Sequence, residues 1–441
     1  MLNYVKSKLI LEYIFNNMLY ETQLNVIKYN KQLQKRLNFS LEHYKQFKLF
    51  KELKTKLKLD IRTPNAKILN LNGKMMKNKG LDYLKNIDFI LLKELNLSGN
   101  NISDLKVLKT IKSIFLEKLD LSNNNIFNID ILTKINLDKL THLNLSGNNL
   151  SNIDPLININ CPKLQILNLS GNNLMNEIST LEKVNFKELK ALYLNKNKIM
   201  DIRALKNVNF EKLEILNLSE NYNIENIYLL TEVNFKELKE LYLAKESELG
   251  LEFLSQVNFP KLQILDISGN ILSDTNILIQ TNLRELKELI LNDNYISSLI
   301  PLTRMKFPDL EVLNLSRNKI SNITDLNNVN FKKLKKLYLN GNRISNISEL
   351  GLGKFPILEL LNLGENLIVN IEVFANTDLI KLKELNLSGN KITDLRALEA
   401  AKFNQLIYIY ISINKNEELQ NASTIKYLKS RYKNFNLYYK H

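Results

Sequence analysis

The chain has few of the residues that build covalent links and metal sites. Its 441 residues include one cysteine, Cys161, no tryptophan, and three histidines, His43, His142 and His441. A single cysteine excludes an intrachain disulfide. The histidines are scattered and lack the spacing of zinc-ligand motifs. The sequence therefore predicts no metal and no cofactor.

Motifs for catalysis are also missing. The sequence contains no G-x-G-x-x-G and no G-x-x-x-x-G-K-[ST] phosphate-binding loop. Among the serines of the repeated LNLS stretches, only Ser146 has a histidine nearby, His142, and this pair lacks the third member of a triad. The chain is therefore predicted not to be an enzyme and to have no small-molecule substrate.

No apolar run reaches the roughly 18 residues that a membrane-spanning helix needs. The first twenty residues do not read as a signal peptide, because Glu12 interrupts their apolar run and no small-residue cleavage site follows. We therefore expect a cytoplasmic location, with the nucleus as the alternative.

The net charge of +15 is concentrated at the two ends. Residues 1–60 contain 12 basic and 5 acidic residues, and residues 415–441 contain 6 and 2. The 354 residues between them are nearly neutral, with 43 basic and 39 acidic residues. A solvated lysine-rich surface explains this distribution better than nucleic-acid binding, which we do not expect.

A regular repeat dominates the middle of the chain. Aligned on L-x-x-L-x-L-x-x-N, the sequence gives fifteen rows, and eleven of the steps between them are 24 residues long. Lys74 and Glu246 replace asparagine in two rows. The other thirteen rows form a predicted asparagine ladder: Asn100, Asn124, Asn148, Asn172, Asn197, Asn221, Asn270, Asn294, Asn318, Asn342, Asn366, Asn390 and Asn414.

The row at 189–212 shows what each repeat encodes. Leu192 and Leu194 alternate with other residues, which predicts a short strand with one buried face. Ile199, Ile202 and Leu205 then recur every three residues, which suits a turn of 3₁₀ or irregular helix. One such coil cannot bury its leucines alone, so the rows are predicted to stack.

These rows resemble leucine-rich repeats, and the resemblance covers about residues 66–414. The I-x-x-I-x-x-L half is similar to a short-repeat subclass that includes a regulatory subunit of protein phosphatase 1 and the bacterial internalins. The resemblance implies an α/β leucine-rich repeat solenoid. It would be a right-handed superhelix of about 15 repeats of 24 residues, with a curved parallel sheet on the concave face and a helical N-terminal cap.

The repeated asparagine has a predicted mechanical role. The chain turns sharply there, and an amide side chain offers a donor and an acceptor to backbone groups buried between coils. A carboxylate can only accept, so at Glu246 we expect the turn to open to solvent. A functional insert at 244–253 is the alternative interpretation.

Three ranges are predicted: a basic helical N-terminal segment at 1–60, the repeat domain at 61–414 and a C-terminal cap at 415–441. Apolar spacing in the first range indicates two or three amphipathic helices, the last of them after Ser40. Residues 10–37 also resemble an F-box, so this range is either a cap or a docking module. Phe435 and Leu437 predict a last edge strand.

The third and fifth residues of L-x-x-L-x-L should point outward from the sheet. Down the stack, aliphatic and tyrosine residues alternate between these two positions and form a predicted concave ribbon. It is either cross-strand packing left by duplication of a two-row unit, or a partner-binding surface. The ribbon comprises Ile166, Tyr193, Ile215, Tyr242, Ile264, Ile290, Val312, Tyr338 and Leu360.

The sequence thus favours a monomeric, non-enzymatic scaffold that binds a protein of unknown identity on the concave face. The alternatives are an F-box-like substrate adaptor of a ubiquitin ligase and a regulatory subunit of a protein phosphatase. The stretch LNLSGN at 95–100 recurs and contains an N-glycosylation sequon. Its asparagine and serine are expected to face outward, as a consequence of strand alternation.

Overall fold

The computed structural model describes residue 22 and residues 30–37, 41–58 and 66–440, except 86, 90, 112–113, 176, 222–223, 247–249, 353–354, 415–417, 419 and 433. The chain divides into two compact units. The first unit comprises Met1–Asn197 and Asn207–Phe210, and the second comprises Lys198–Lys206 and Glu211–His441. Both are solenoids of stacked coils. The predicted ranges 1–60, 61–414 and 415–441 stay a prediction.

In the first unit, α1 (Lys31–Arg36) and α2 (Leu41–Leu57) precede the coils, and α3 (Lys77–Leu81) lies in the first coil. The parallel strands follow chain order: β1 (Ile68–Asn70), β2 (Glu94–Asn96), β3 (Lys118–Asp120), β4 (His142–Asn144), β5 (Ile166–Asn168) and β6 (Ala191–Tyr193). The 3₁₀ helices are Asp82–Leu84, Lys106–Thr110, Asp130–Lys134, Asp154–Asn158 and Glu177–Glu182.

The N-terminal helices of this unit are partly described. Asn30 caps α1, because its Oδ1 accepts a hydrogen bond from the Leu33 amide at 3.0 Å. The helix α2 begins after Ser40, as predicted, and buries Phe50 and Leu53 completely. The earlier predicted helix and most of the F-box-like segment lie outside the described residues.

In the second unit the parallel strands again follow chain order: β7 (Ile215–Asn217), β8 (Glu240–Tyr242), β9 (Ile264–Asp266), β10 (Glu288–Ile290), β11 (Val312–Asn314), β12 (Lys336–Tyr338), β13 (Leu360–Asn362), β14 (Glu384–Leu387), β15 (Tyr408–Asn414) and β16 (Asn434–Lys440). The predicted last strand is β16, and Phe435 pairs in register with Ile409.

Short helices close each coil of the second unit. The 3₁₀ helices are Arg203–Lys206, Ile227–Thr231, Glu252–Ser255, Asn276–Gln280, Ile300–Thr303, Thr324–Asn328 and Ser348–Leu352. The α-helices are α4 (Val373–Asn376), α5 (Ala397–Ala400) and α6 (Ala422–Arg431). The three-residue apolar period thus predicted 3₁₀ structure in most rows. A polar side chain can bond to the first turn of such a helix: Asn322 Oδ1 accepts a hydrogen bond from the Thr324 amide at 2.8 Å.

The core of each unit lies between the strands and these helices. The middle residue of each three-residue strand is buried, as Leu241 and Leu265 show, and in most of these strands its two neighbours are half-buried. A phenylalanine lies before most strands, and Phe259 and Phe331 are among the largest fully buried side chains. Each such burial contributes roughly 1.5–3 kcal/mol, so the stack stabilises coils that could not fold alone. Within the described residues, no helix is long and apolar enough to cross a membrane.

In every row except that of Asn414, the residue before the ladder position has a left-handed backbone; Ile413, which precedes Asn414, lies within β15. In LNLSGN this residue is glycine, as at Gly99 with φ of 66°, because glycine adopts this region without strain. In seven rows another residue adopts this left-handed conformation, at a cost in backbone strain. These residues are Asn123, Lys196, Glu220, Lys245, Asp293, Arg317 and Glu365.

Candidate functional site

The candidate site is the outward surface of the strands. We call the first and third residues of each strand the strand face. In the second unit, the first residues of β7 to β13 alternate between aliphatic and charged, and register places Ile264 beside both Glu240 and Glu288. The third residues alternate between asparagine or aspartate and tyrosine or isoleucine, so Asp266 lies between Tyr242 and Ile290. The apolar side chains therefore follow a zigzag across the strands.

The nine predicted ribbon residues all lie on the strand face. Ile166 and Tyr193 belong to β5 and β6 of the first unit, and the remaining seven belong to β7–β13 of the second unit. Each is half-buried rather than fully exposed. Neighbouring strands about 4.8 Å apart cover part of every side chain. Seven of the nine ribbon residues thus lie in the second unit.

Two tyrosines of this face interact with carboxylates. The Tyr242 hydroxyl donates to Glu240 Oε2 at 2.8 Å, so the pair is held on one strand. Burial raises the pKa of the Tyr338 hydroxyl, and the charges of Glu384 and Glu288 raise it further. Tyr338 therefore stays a neutral hydrogen-bond donor near neutral pH.

A column of ion pairs runs beside the strand face, at the residue before each strand. Lys239 Nζ lies 2.5 Å from Glu214, and Lys335 Nζ lies 2.7 Å from Glu311. Sequence reasoning did not identify this column. The alternation of L-[QE] and L-K rows contains the signal, because stacking rows in register brings each lysine beside a glutamate.

The ladder asparagines occupy the turns after the strands and are structural in geometry. Twelve of the thirteen are buried, and the side chain of Asn414 lies outside the described residues. Asn318 is typical: its Nδ2 donates to the Leu291 and Leu315 carbonyls at 3.0 Å, and its Oδ1 accepts from the Ile296 amide at 2.9 Å. One side chain thus joins two neighbouring coils.

Glu246 occupies a ladder position, and its surroundings differ from those predicted from the sequence. The predicted opening to solvent is wrong, because the side chain is only 2 % exposed. Its Oε1 accepts from the Asn221 amide at 2.8 Å, while Oε2 is buried without a hydrogen-bond partner. Burial raises the pKa of this carboxyl to about 8, against the lowering effect of backbone hydrogen bonds from Asn221 and Ile224. Stacking of the flanking coils holds the turn closed around a poorly solvated group.

The sequon in LNLSGN differs in part from expectation. Asn96 lies on the strand face and is half-buried, but Ser98 is buried with 6 % exposure. The Ser98 hydroxyl donates to Asn96 Oδ1 at 2.7 Å. The serine therefore closes a local turn instead of facing outward.

His142 and Ser146, which lie close in the sequence, have different hydrogen-bond partners in the structure. The His142 ring contacts the Thr141 hydroxyl at 2.7 Å, whereas the Ser146 hydroxyl donates to Asn144. Burial lowers the pKa of His142. Cys161 is buried, and burial raises its thiol pKa to about 12. Within the described part of the chain, no group of three or more metal-ligating side chains forms.

Comparison with known proteins identifies leucine-rich repeats in parts of the chain. A leucine-rich repeat profile matches residues 115–174, 284–344, 308–368 and 332–392, and a second leucine-rich repeat profile matches residues 90–105. No curated protein matches the chain in sequence.

Two solved structures show the likeness of fold. An internalin from Listeria monocytogenes is similar over 82% of this chain and 94% of its own, with a TM-score of 0.55 and 24% identity. The Arabidopsis receptor kinase HAESA, in complex with the peptide hormone IDA and the co-receptor SERK1, is similar over 73% of this chain and 55% of its own, with a TM-score of 0.50 and 23% identity.

Proposed function

Because this chain is a leucine-rich repeat protein, we propose that it is a non-enzymatic scaffold that binds a protein partner on the strand face of the second unit. The observation that carries the proposal is the zigzag of aliphatic and tyrosine side chains on β7–β13. These side chains are half-buried, and a bound partner would remove the rest of their surface from water.

The surface has the chemistry of a protein interface. Tyr242 and Tyr338 combine a large apolar ring with a hydroxyl group, and tyrosine is enriched among residues that dominate binding energy. Short strands in a stacked sheet hold these rings with little conformational freedom, which lowers the entropic cost of binding. The HAESA structure, a complex with a peptide hormone, is consistent with such a use of this fold.

The test replaces Tyr242, Ile264 and Tyr338 together by serine. The matched control replaces Tyr228, Tyr295 and Ile300 of the same unit by serine; these residues are 58%, 51% and 53% exposed and lie outside the strands. Both variants lose two tyrosines and one isoleucine. Proteins recovered with the tagged chain from an extract of its native cell are then quantified.

We expect the strand-face variant to lose proteins that the control variant retains, while both keep the circular dichroism spectrum of the parent chain. Truncation of central interface residues commonly costs about 1–2 kcal/mol each, so losses above tenfold are expected for the triple change. If both variants recover the same proteins as the parent chain, the strand face is cross-strand packing and nothing more.

The F-box-like adaptor and the phosphatase regulatory subunit remain alternative hypotheses. The F-box-like residues 10–37 lie mostly outside the described residues, so their geometry favours neither. Partner identity, a monomeric state and a cytoplasmic or nuclear location stay predictions. Purified residues 1–60 distinguish the first alternative, because an adaptor should recover ligase components through that segment alone.

A further inference from the structure

The strand face of the second unit carries mostly negative charge among its apolar side chains. Glu240, Glu288 and Glu384 are first residues of β8, β10 and β14, and Asp266 is the third residue of β9. Lys336 on β12 is the one basic residue on the strand face of β7–β14. This surface is therefore net acidic within a chain whose total charge is +15.

None of these four carboxylates is ion-paired within the part of the chain that the structure describes. Among the described residues, no lysine or arginine nitrogen lies within the 4.0 Å limit of an ion pair to Glu240, Asp266, Glu288 or Glu384. The glutamates in the adjacent column differ, as in the Lys383–Glu359 pair at 3.0 Å. Lysines thus neutralise the column beside the strand face and leave the face itself acidic.

The first unit provides a comparison within the same chain. There Glu94 is the first residue of β2, and Lys118, the first residue of β3, lies 3.0 Å from it. A lysine in the next strand can therefore neutralise a strand-face glutamate in this fold. In the second unit, the strand next to Glu240 and Glu288 has Ile264 in that register position instead.

The arrangement has consequences for any molecule that covers it. Carboxylates removed from water without a counter-charge are costly, so a purely apolar partner would lose much of its binding energy. Glu240 and Glu288 each lie one strand, or about 4.8 Å, from Ile264. A cationic group above Ile264 would reach both carboxylates while its aliphatic stem covers the isoleucine.

Resting on the proposed function, we propose that the partner is a protein segment that presents lysine or arginine between apolar side chains. Its apolar residues cover Tyr242, Ile264 and Ile290, and its cations pair with Glu240, Asp266 and Glu288. Nucleic acid does not fit this surface, because phosphates would face unpaired carboxylates.

A display library of random peptides provides the first test. Peptides are selected on the full chain and counter-selected on the strand-face variant with serine at 242, 264 and 338. We expect the retained peptides to be enriched in lysine, arginine and apolar residues, although the basic chain as a whole attracts acidic peptides. Retained peptides without basic enrichment overturn the inference and leave the proposed function standing. If no peptide depends on the strand face, both fail.

The second test measures the affinity of one selected peptide for two charge-matched variants. The first is Glu240→Gln with Glu288→Gln, in which the amide oxygen of residue 240 can still accept from Tyr242. The control is Glu225→Gln with Glu252→Gln, two exposed residues outside the strands. We expect the strand-face pair to weaken binding roughly threefold to tenfold at low salt and the control pair to leave it unchanged.

Equal affinity for the two double variants overturns the inference, because both gain the same net charge. Self-association offers a further check by sedimentation. If the parent chain forms dimers that the strand-face triple variant abolishes, the occupant is a second copy of this chain, and the inference is again wrong.

Discussion

Replacing Glu246 by glutamine should remove a pH-dependent weakness in the second unit. The carboxyl group is 2 % exposed, and its Oε2 has no hydrogen-bond partner. Its pKa is raised from 4.5 to about 8, mainly by burial. Glutamine has nearly the same shape, keeps an acceptor for the Asn221 amide and adds a donor, as asparagine does elsewhere in the ladder.

The direction in which pH changes the free energy of unfolding follows from the difference in proton binding between the folded and the unfolded chain. Below about pH 4.5 the carboxyl is protonated in both the folded and the unfolded chain, so it adds no pH dependence. Between pH 4.5 and about 8 the unfolded chain releases the proton while the folded chain retains it. The free energy of unfolding then falls by about 1.4 kcal/mol per pH unit, which amounts to roughly 5 kcal/mol in total. Above about pH 8 the difference is constant.

The assay is urea unfolding followed by far-ultraviolet circular dichroism, because the chain has no tryptophan. The parent chain, Glu246→Gln and the exposed control Glu225→Gln are compared at about pH 5, 7 and 9. Glu246→Gln should match the parent near pH 5 and exceed its stability increasingly up to pH 8. Hydrogen exchange of peptides around β8 localises the effect. Parallel pH profiles for all three proteins would refute the reasoning.

Three further predictions follow from single contacts. Asn318→Ala removes hydrogen bonds to the Leu291 and Leu315 carbonyls and should lower the free energy of unfolding, measured with urea, by about 3–5 kcal/mol. A loss below about 1 kcal/mol, the size of a surface effect, would contradict the structural role of the ladder. Gly389→Ala should cost about 1–2 kcal/mol because φ is 71°, and unchanged stability would remove the argument from backbone strain. Cys161, with a thiol pKa of about 12, should resist a thiol reagent at neutral pH until urea unfolds the chain, and rapid labelling of folded protein would show that it is exposed.

The repeat made most of the fold predictable. Leu192 alternates with its neighbours over a period of two, and the next apolar residues have a period of three. Burial of both patterns favours a short strand followed by a short helical turn, which is 3₁₀ in most rows and α-helical at α4 and α5. The strands that form are therefore those the spacing predicts, down to β16 with Phe435 in register with Ile409. The repeat period reflects how the coils stack, and the stacking of coils is nearly the whole fold of a repeat protein.

Sequence patterns predicted individual environments less well. The turn at Glu246 was expected to open to solvent because a carboxylate can only accept hydrogen bonds, but the side chain is buried and its pKa rises instead. Ser98 was expected to face outward by alternation, yet its hydroxyl turns back to Asn96. The division into two compact units near residue 198 also had no signal in the repeat.

Alternation of the outward residues predicted the proposed partner surface, but its charge balance needed the structure. Lys335 and Glu311 are separated by 24 residues, and only register shows that they pair beside the strand face. The same register shows that Glu288 has aliphatic neighbours, Ile264 and Val312, on both sides. The chemistry expected of a partner follows from these contacts rather than from composition.

The central claim is that the strand face of the second unit meets a protein partner. The most direct measurement places a photoreactive amino acid at Ile264, on the strand face, and in a matched chain at Tyr295, outside the strands. After irradiation in an extract of the native cell, the chain labelled at 264 should form a discrete adduct with a protein that the chain labelled at 295 does not capture. If that protein is captured from 295 and not from 264, the partner binds elsewhere and the account is wrong.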